Sequence, residues 1–99
     1  MLNIEKTVGD GSATFALKGR LDSVTSEELE AELKEVMEGL TELTLDLEEL
    51  DYLSSAGLRV LLSAQKVMNR QGEMKVIHVS EPIMEIFEVT GFTDILTIE

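Results

Sequence analysis

Hydrophobic periodicity along this chain switches repeatedly between two and about 3.6 residues, and few folds accommodate that switching. From Leu43 to Leu47 apolar residues alternate with Thr44 and Asp46, the pattern of a strand covered on one face only. Shortly afterwards Leu58, Leu61, Leu62, Gln65 and Met68 recur at helical spacing, which predicts a helix over about residues 56–71 with Gly72 as its C-terminal cap. The same alternation surrounds this pair. Leu2 to Val8 and Ala13 to Arg20 read as strands joined through Gly9-Asp10-Gly11-Ser12, an antiparallel hairpin. Thr25-Ser26-Glu27-Glu28 reads as a capping box opening a helix that carries Leu29, Leu33, Val36, Met37 and Leu40. Met74 to Val79 predicts a further strand. Ser80-Glu81-Pro82 opens a third helix with Ile83, Ile86 and Phe87 on its inner face and Gly91 at its end, and residues 95–98 predict a last strand.

The expected order is β-β-α-β-α-β-α-β: an α/β fold with a mixed sheet of four to five strands, parallel in its later βαβ units and antiparallel at the hairpin edge. With 99 residues, of which 43% are hydrophobic and only 4% aromatic, one domain with an aliphatic core is expected. There is no cysteine, so neither a disulfide framework nor a thiolate metal site is available, and no other metal or cofactor site is expected. The first residues lack the basic and apolar regions of a secretory signal, and no apolar run reaches membrane-spanning length; a cytoplasmic protein is expected. A net charge of -12 repels nucleic-acid phosphates and anionic lipid, so neither nucleic acid nor a membrane surface is expected as a direct partner. Glu27, Glu28, Glu30, Glu32, Glu35 and Glu38 read as one solvated helix face.

In open sheets of this kind the functional crevice lies beyond the carboxyl ends of the parallel strands, which directs attention to residues 48–58. Ser54 and Ser55 stand there at a helix start. Ser54 reads as the N-cap, whose oxygen accepts a first-turn N–H. Ser55 falls within the first turn, where an added phosphate meets unpaired N–H groups and the positive end of the helix dipole. Ala56 and Gly57 leave that hydroxyl open to an approaching enzyme, pack the helix start closely on the sheet, or do both. From Tyr52 to Gly72 there is no carboxylate, and Arg59, Lys66 and Arg70 form a basic stripe that either complements the helix dipole or meets an acidic partner.

The run Leu47-Glu48-Glu49-Leu50-Asp51-Tyr52-Leu53-Ser54-Ser55-Ala56-Gly57-Leu58-Arg59-Val60-Leu61-Leu62 resembles the signature of anti-sigma factor antagonists. These are small bacterial proteins built on a STAS domain, named for sulfate transporters and anti-sigma factor antagonists. Gly19-Arg20-Leu21-Asp22 before the Thr25 helix start, and Gly72-Glu73-Met74 before the next strand, extend the resemblance over essentially the whole chain. It implies a STAS-like sheet with helices mainly on one face. It further implies that Ser55 is the phosphorylated residue, with Ser54 as a minor alternative. The unphosphorylated protein is then expected to bind an anti-sigma factor that is also a serine kinase, releasing the sigma factor; phosphorylation ends that interaction and a serine phosphatase restores it. Asp22, Ser23, Tyr52, Leu53, Ser54, Ser55, Ala56, Gly57 and Arg59 are the implied partner-facing residues. Many members carry aspartate before the phosphorylated serine, whereas this chain has Ser54, and Ala56 replaces a frequent hydroxyl residue.

Other chemistries lack their residues. His78 is the only histidine, falls in a predicted strand, and has no Gly-x-Ser-x-Gly elbow to serve, so no catalytic residue is expected. Asp46 on a central strand suggests a phospho-aspartate receiver, but no acidic pair follows the first strand. No Gly-x-x-x-x-Gly-Lys loop is present for a nucleotide. A STAS subunit docking onto a lipid-transport ATPase or another membrane transporter is the alternative within the same fold, which fold alone does not separate.

Overall fold

A computed structural model describes residues 1–99. Strands β1 (Leu2–Val8) and β2 (Ser12–Leu21) form the expected antiparallel hairpin, with Val8 opposite Ala13 and Leu2 opposite Gly19. Gly11, at φ 77°, supplies the left-handed residue that lets the chain reverse there. Helix α1 (Thr25–Met37) leads to β3 (Glu42–Leu53), helix α2 (Ser55–Gln71), β4 (Glu73–Ile77) and helix α3 (Glu81–Thr90). The sheet order is β1-β2-β3-β4, with β2, β3 and β4 mutually parallel and β1 antiparallel at one edge.

Period-two burial sets the two faces of this sheet. Ala13, Phe15 and Leu17 of β2, Leu43, Leu45 and Leu47 of β3, and Met74 and Val76 of β4 are all buried. They meet Leu29 and Leu33 of α1, Leu61, Ala64 and Met68 of α2, and Ile83 and Phe87 of α3 in one aliphatic core. Burying each of the Val, Leu, Ile, Phe and Met side chains among them contributes roughly 1.5–3 kcal/mol against the chain entropy lost on folding. The opposite face carries Thr14, Ala16, Thr44, Asp46 and Lys75, all exposed or half-buried, so the helices cover one side of the sheet.

Three expectations are corrected. The capping box at Thr25 does not form: Val24 is the N-cap residue of α1 and makes no side-chain cap. Asp22 holds the Val24 and Thr25 N–H groups instead. β3 runs to Leu53 rather than stopping near Leu47, through two register shifts against β2, so its later residues depart from simple alternation. The expected strand over residues 95–98 is reduced to a single bridge between Val76 and Ile98, preceded by a 3₁₀ turn at Phe92–Asp94. In that turn Phe92 stacks on Phe87, ring centroids 6.4 Å apart, which packs the turn against α3.

Candidate functional site

β2 and β3 end together, Leu21 paired with Leu53, so the loops that follow them lie side by side at the carboxyl edge of the sheet. Ser54 N–H donates to the Leu21 carbonyl at 2.9 Å, which ties the two loops to each other. Ser54 is the N-cap of α2: its backbone is extended, at φ -91° and ψ 172°, and its hydroxyl accepts the Gly57 N–H at 3.2 Å. Its carbonyl accepts the Leu58 N–H at 2.9 Å, the first regular bond of the helix. The Ser54 side chain is therefore half-buried and engaged. Ser55, the first residue of α2, is exposed. It stands in the turn whose free N–H groups and dipole favour negative charge, and that turn holds no carboxylate.

Gly57 decides how closely this helix mouth approaches the sheet. A Cβ there would lie 2.8 Å from Leu21 Cγ and 2.8 Å from Leu53 Cδ1, closer than carbon atoms tolerate. Close packing of the helix start on the sheet is observed, and Gly57 is buried while Ser55 stays exposed. Leu53 is buried as well, at 4% exposure. These two therefore lie beneath the surface instead of on it, which corrects their expected placement as contact residues. They set the position of the serines above them.

The neighbouring loop is organised by Asp22. Its Oδ1 accepts N–H groups from Val24 at 3.0 Å and Thr25 at 2.9 Å, and lies 3.1 Å from the Thr25 hydroxyl oxygen. The Thr25 hydroxyl in turn donates to the Arg20 carbonyl at 2.7 Å and accepts the Asp22 N–H at 2.9 Å. The Thr25 N–H, above all, holds the Asp22 carboxyl below its ordinary value of 3.8, because hydrogen bonds favour the ionised form. Asp22 is thus half-buried and spent on shaping its own loop. Ser23 and Val24 are what that loop exposes, and Val24, at 68% exposure, is an apolar knob that the sequence did not single out. Tyr52 is exposed, with the Arg20 guanidinium 4.2 Å from its ring centroid, a contact set by the Arg20–Tyr52 register pairing.

Between α1 and the start of α2 lies an open groove lined by Ser23, Glu27 and Glu30 on one side and Ala56, Arg59 and Ser63 on the other. Arg59 stands four residues beyond Ser55, the spacing of side chains stacked on one helix face. The structure thus gathers Ser23, Tyr52, Ser55, Ala56 and Arg59 at one accessible edge, with Asp22 and Ser54 as its half-buried scaffold. Lys66 and Arg70 are exposed further along α2.

A mixed four-stranded sheet with helices over one face, presenting an exposed serine at a helix start beyond its parallel strands, defines a small α/β domain of one class. The chain belongs to the STAS domain family, whose sequence profile matches residues 3–99. It is 42% identical, over 90% of its length and 78% of the relative's, to a putative anti-sigma factor antagonist, BtrV, of Bordetella bronchiseptica. It is 33% identical, over 96% of its length and 90% of the relative's, to the anti-sigma-B factor antagonist of Staphylococcus aureus. Among solved structures, the fold is shared with an anti-sigma factor antagonist from Mycobacterium paratuberculosis at a TM-score of 0.89 and 20% identity, over 99% of this chain and 85% of that one. It is also shared with the unphosphorylated form of the anti-sigma factor antagonist SpoIIAA at a TM-score of 0.83 and 18% identity, over 100% of this chain and 88% of that one.

Proposed function

We propose that this protein is a non-catalytic, cytoplasmic anti-sigma factor antagonist whose partner binding is switched by phosphorylation of Ser55. The observation that carries this reading is the unequal state of the two serines. Ser54 is committed to capping α2, while Ser55 is exposed on the first turn. The names of the relatives at 42% and 33% identity supply the functional class. In this reading the unphosphorylated edge, with Ser23, Val24, Tyr52 and Arg59, docks on an anti-sigma factor with serine kinase activity and frees the sigma factor. A serine phosphatase reverses the modification.

The switch works through charge rather than shape. A phosphate adds about 1.5 to 2 negative charges at one point. On the free protein this charge is accommodated, because the first-turn N–H groups face it and Arg59 lies one turn away. At a docked interface the same charge loses its water. Unless the partner supplies cations, the cost is several kcal/mol. Moving a complex from almost fully bound to almost fully free takes about 5.5 kcal/mol of differential affinity, within reach of a single buried phosphate.

The test is a labelling experiment with the cognate kinase and ATP. One phosphate per chain is expected, with Ser54→Ala labelled and Ser55→Ala unlabelled while still bound to the kinase. Undiminished labelling of Ser55→Ala would remove Ser55 from the account.

A further inference from the structure

On the face of the sheet that no helix covers, three potential metal donors from two distant parts of the sequence come together. Asp46 and Glu48 lie on β3 where its register against β2 shifts, between the Asp46–Ala16 and Glu49–Lys18 pairs. That shift takes the Glu48 N–H out of the regular ladder; Asp46 Oδ1 accepts it at 3.0 Å, which fixes the Asp46 carboxylate. β4 ends at Ile77, the register partner of Asp46, so His78 leaves the sheet directly beside it. His78 is also the one non-glycine residue with positive φ, 56°, and this left-handed turn sets its ring against β3. Its Nδ1 lies 3.0 Å from Asp46 Oδ1 and 3.5 Å from Glu48 Oε1.

We propose that Asp46, Glu48 and His78 form a site for a divalent transition-metal cation of the Zn²⁺ type. A cation about 2.1 Å from each donor separates adjacent donors by about 3.0 Å in octahedral and about 3.4 Å in tetrahedral geometry. Both His78 contacts fall at these separations. The three donor atoms lie within 4.8 Å of one another, and Glu48, whose side chain is 68% exposed, is free to close what remains. The surroundings favour a cation independently. Asp46 and Glu48 line a depression of about 250 Å³ whose other charged residues are Glu5, Glu49 and Lys18. Lys18, its only cation, lies 3.9 Å from Glu49, and the excess of carboxylates concentrates cations there. An imidazole with two carboxylates selects Zn²⁺ over Mg²⁺, which takes oxygen donors and keeps its water. The expectation from sequence that no metal site exists is revised on this geometry, because 30 positions separate Glu48 from His78.

Chelator-stripped protein titrated with zinc chloride by calorimetry tests the site, with the His78 ring nitrogens followed by ¹⁵N NMR. One equivalent is expected to bind, with the Nδ1 resonance moving and Mg²⁺ at least about tenfold weaker. Asp46→Asn and His78→Asn, the latter chosen because asparagine tolerates the left-handed backbone, are each expected to weaken binding by about tenfold or more. No zinc binding, an unmoved Nδ1 resonance in the wild-type chain, or equal affinity in His78→Asn would overturn the proposal and leave His78 as a hydrogen-bond partner of Asp46.

Discussion

Replacing Gly57 by alanine isolates the contact that seats the helix carrying Ser55. Two opposing terms apply. Alanine is favoured over glycine within a helix by up to about 1 kcal/mol, less in the first turn where the backbone is only partly committed. Against this, the new methyl carbon would stand 2.8 Å from both Leu21 Cγ and Leu53 Cδ1. Leu21 is fully buried and Leu53 nearly so, so neither can swing into solvent. Overpacking of this kind costs roughly 1–3 kcal/mol, which against a first-turn gain of about 0.5 kcal/mol leaves a net destabilisation of about 0.5–2.5 kcal/mol. For a domain of this length, each kcal/mol lowers Tm by about 4–8 °C, so a fall of at least about 2 °C is expected by calorimetry or circular dichroism. If the clash is the cause, shrinking a neighbour must relieve it. In a double-mutant cycle, Gly57→Ala is expected to cost less in a Leu53→Ala background than in the wild type, with a coupling of about 1 kcal/mol. A Gly57→Ala protein as stable as the wild type, or additive costs in the cycle, would refute the close-packing argument.

The two serines are expected to separate in stability before any kinase is added. Ser54→Ala removes the α2 cap and should lower stability by about 1 kcal/mol, whereas Ser55→Ala should stay within about 0.5 kcal/mol by urea denaturation; equal losses would contradict the assigned roles. Asp22 makes a pH-dependent contribution of known sign. Its folded carboxyl is held below the ordinary 3.8, so its contribution is present above that value and is lost as pH falls through the lowered folded value. The stability gap between wild type and Asp22→Ala, measured by denaturation over a pH series, should therefore be constant near neutrality and narrow progressively as pH falls through 3.8 and below; a gap independent of pH would show that the charge is immaterial.

Much of this architecture was legible because apolar period and end signals agreed. The hairpin followed from two alternating runs around a glycine turn. α3 followed from Ser80, Pro82 and Gly91, which stand at its N-cap, first turn and left-handed C-cap. Ser54 was readable as a cap because capping is local. What escaped depended on partners distant in the sequence or on irregular backbone. The Thr25–Glu28 pattern met the local rule for a capping box, yet the Thr25 hydroxyl is drawn to the Arg20 carbonyl and Asp22 takes over the free N–H groups. β3 looked short because its register shift exposes Glu48 and Glu49 together and breaks the alternation. Leu53 and Gly57 belonged to a motif that suggested a contact surface, but the parallel pairing of Leu21 with Leu53 turns both residues inward. No local pattern could place His78 beside Asp46, since that contact requires the β3–β4 register and a left-handed residue together.

Calorimetric titration of the cognate anti-sigma factor kinase, with the protein first unmodified and then fully phosphorylated on Ser55, tests the proposed regulatory step directly. Tight binding of the first form and loss of at least a hundredfold in affinity for the second is the predicted result. Equal affinity for both forms would contradict it.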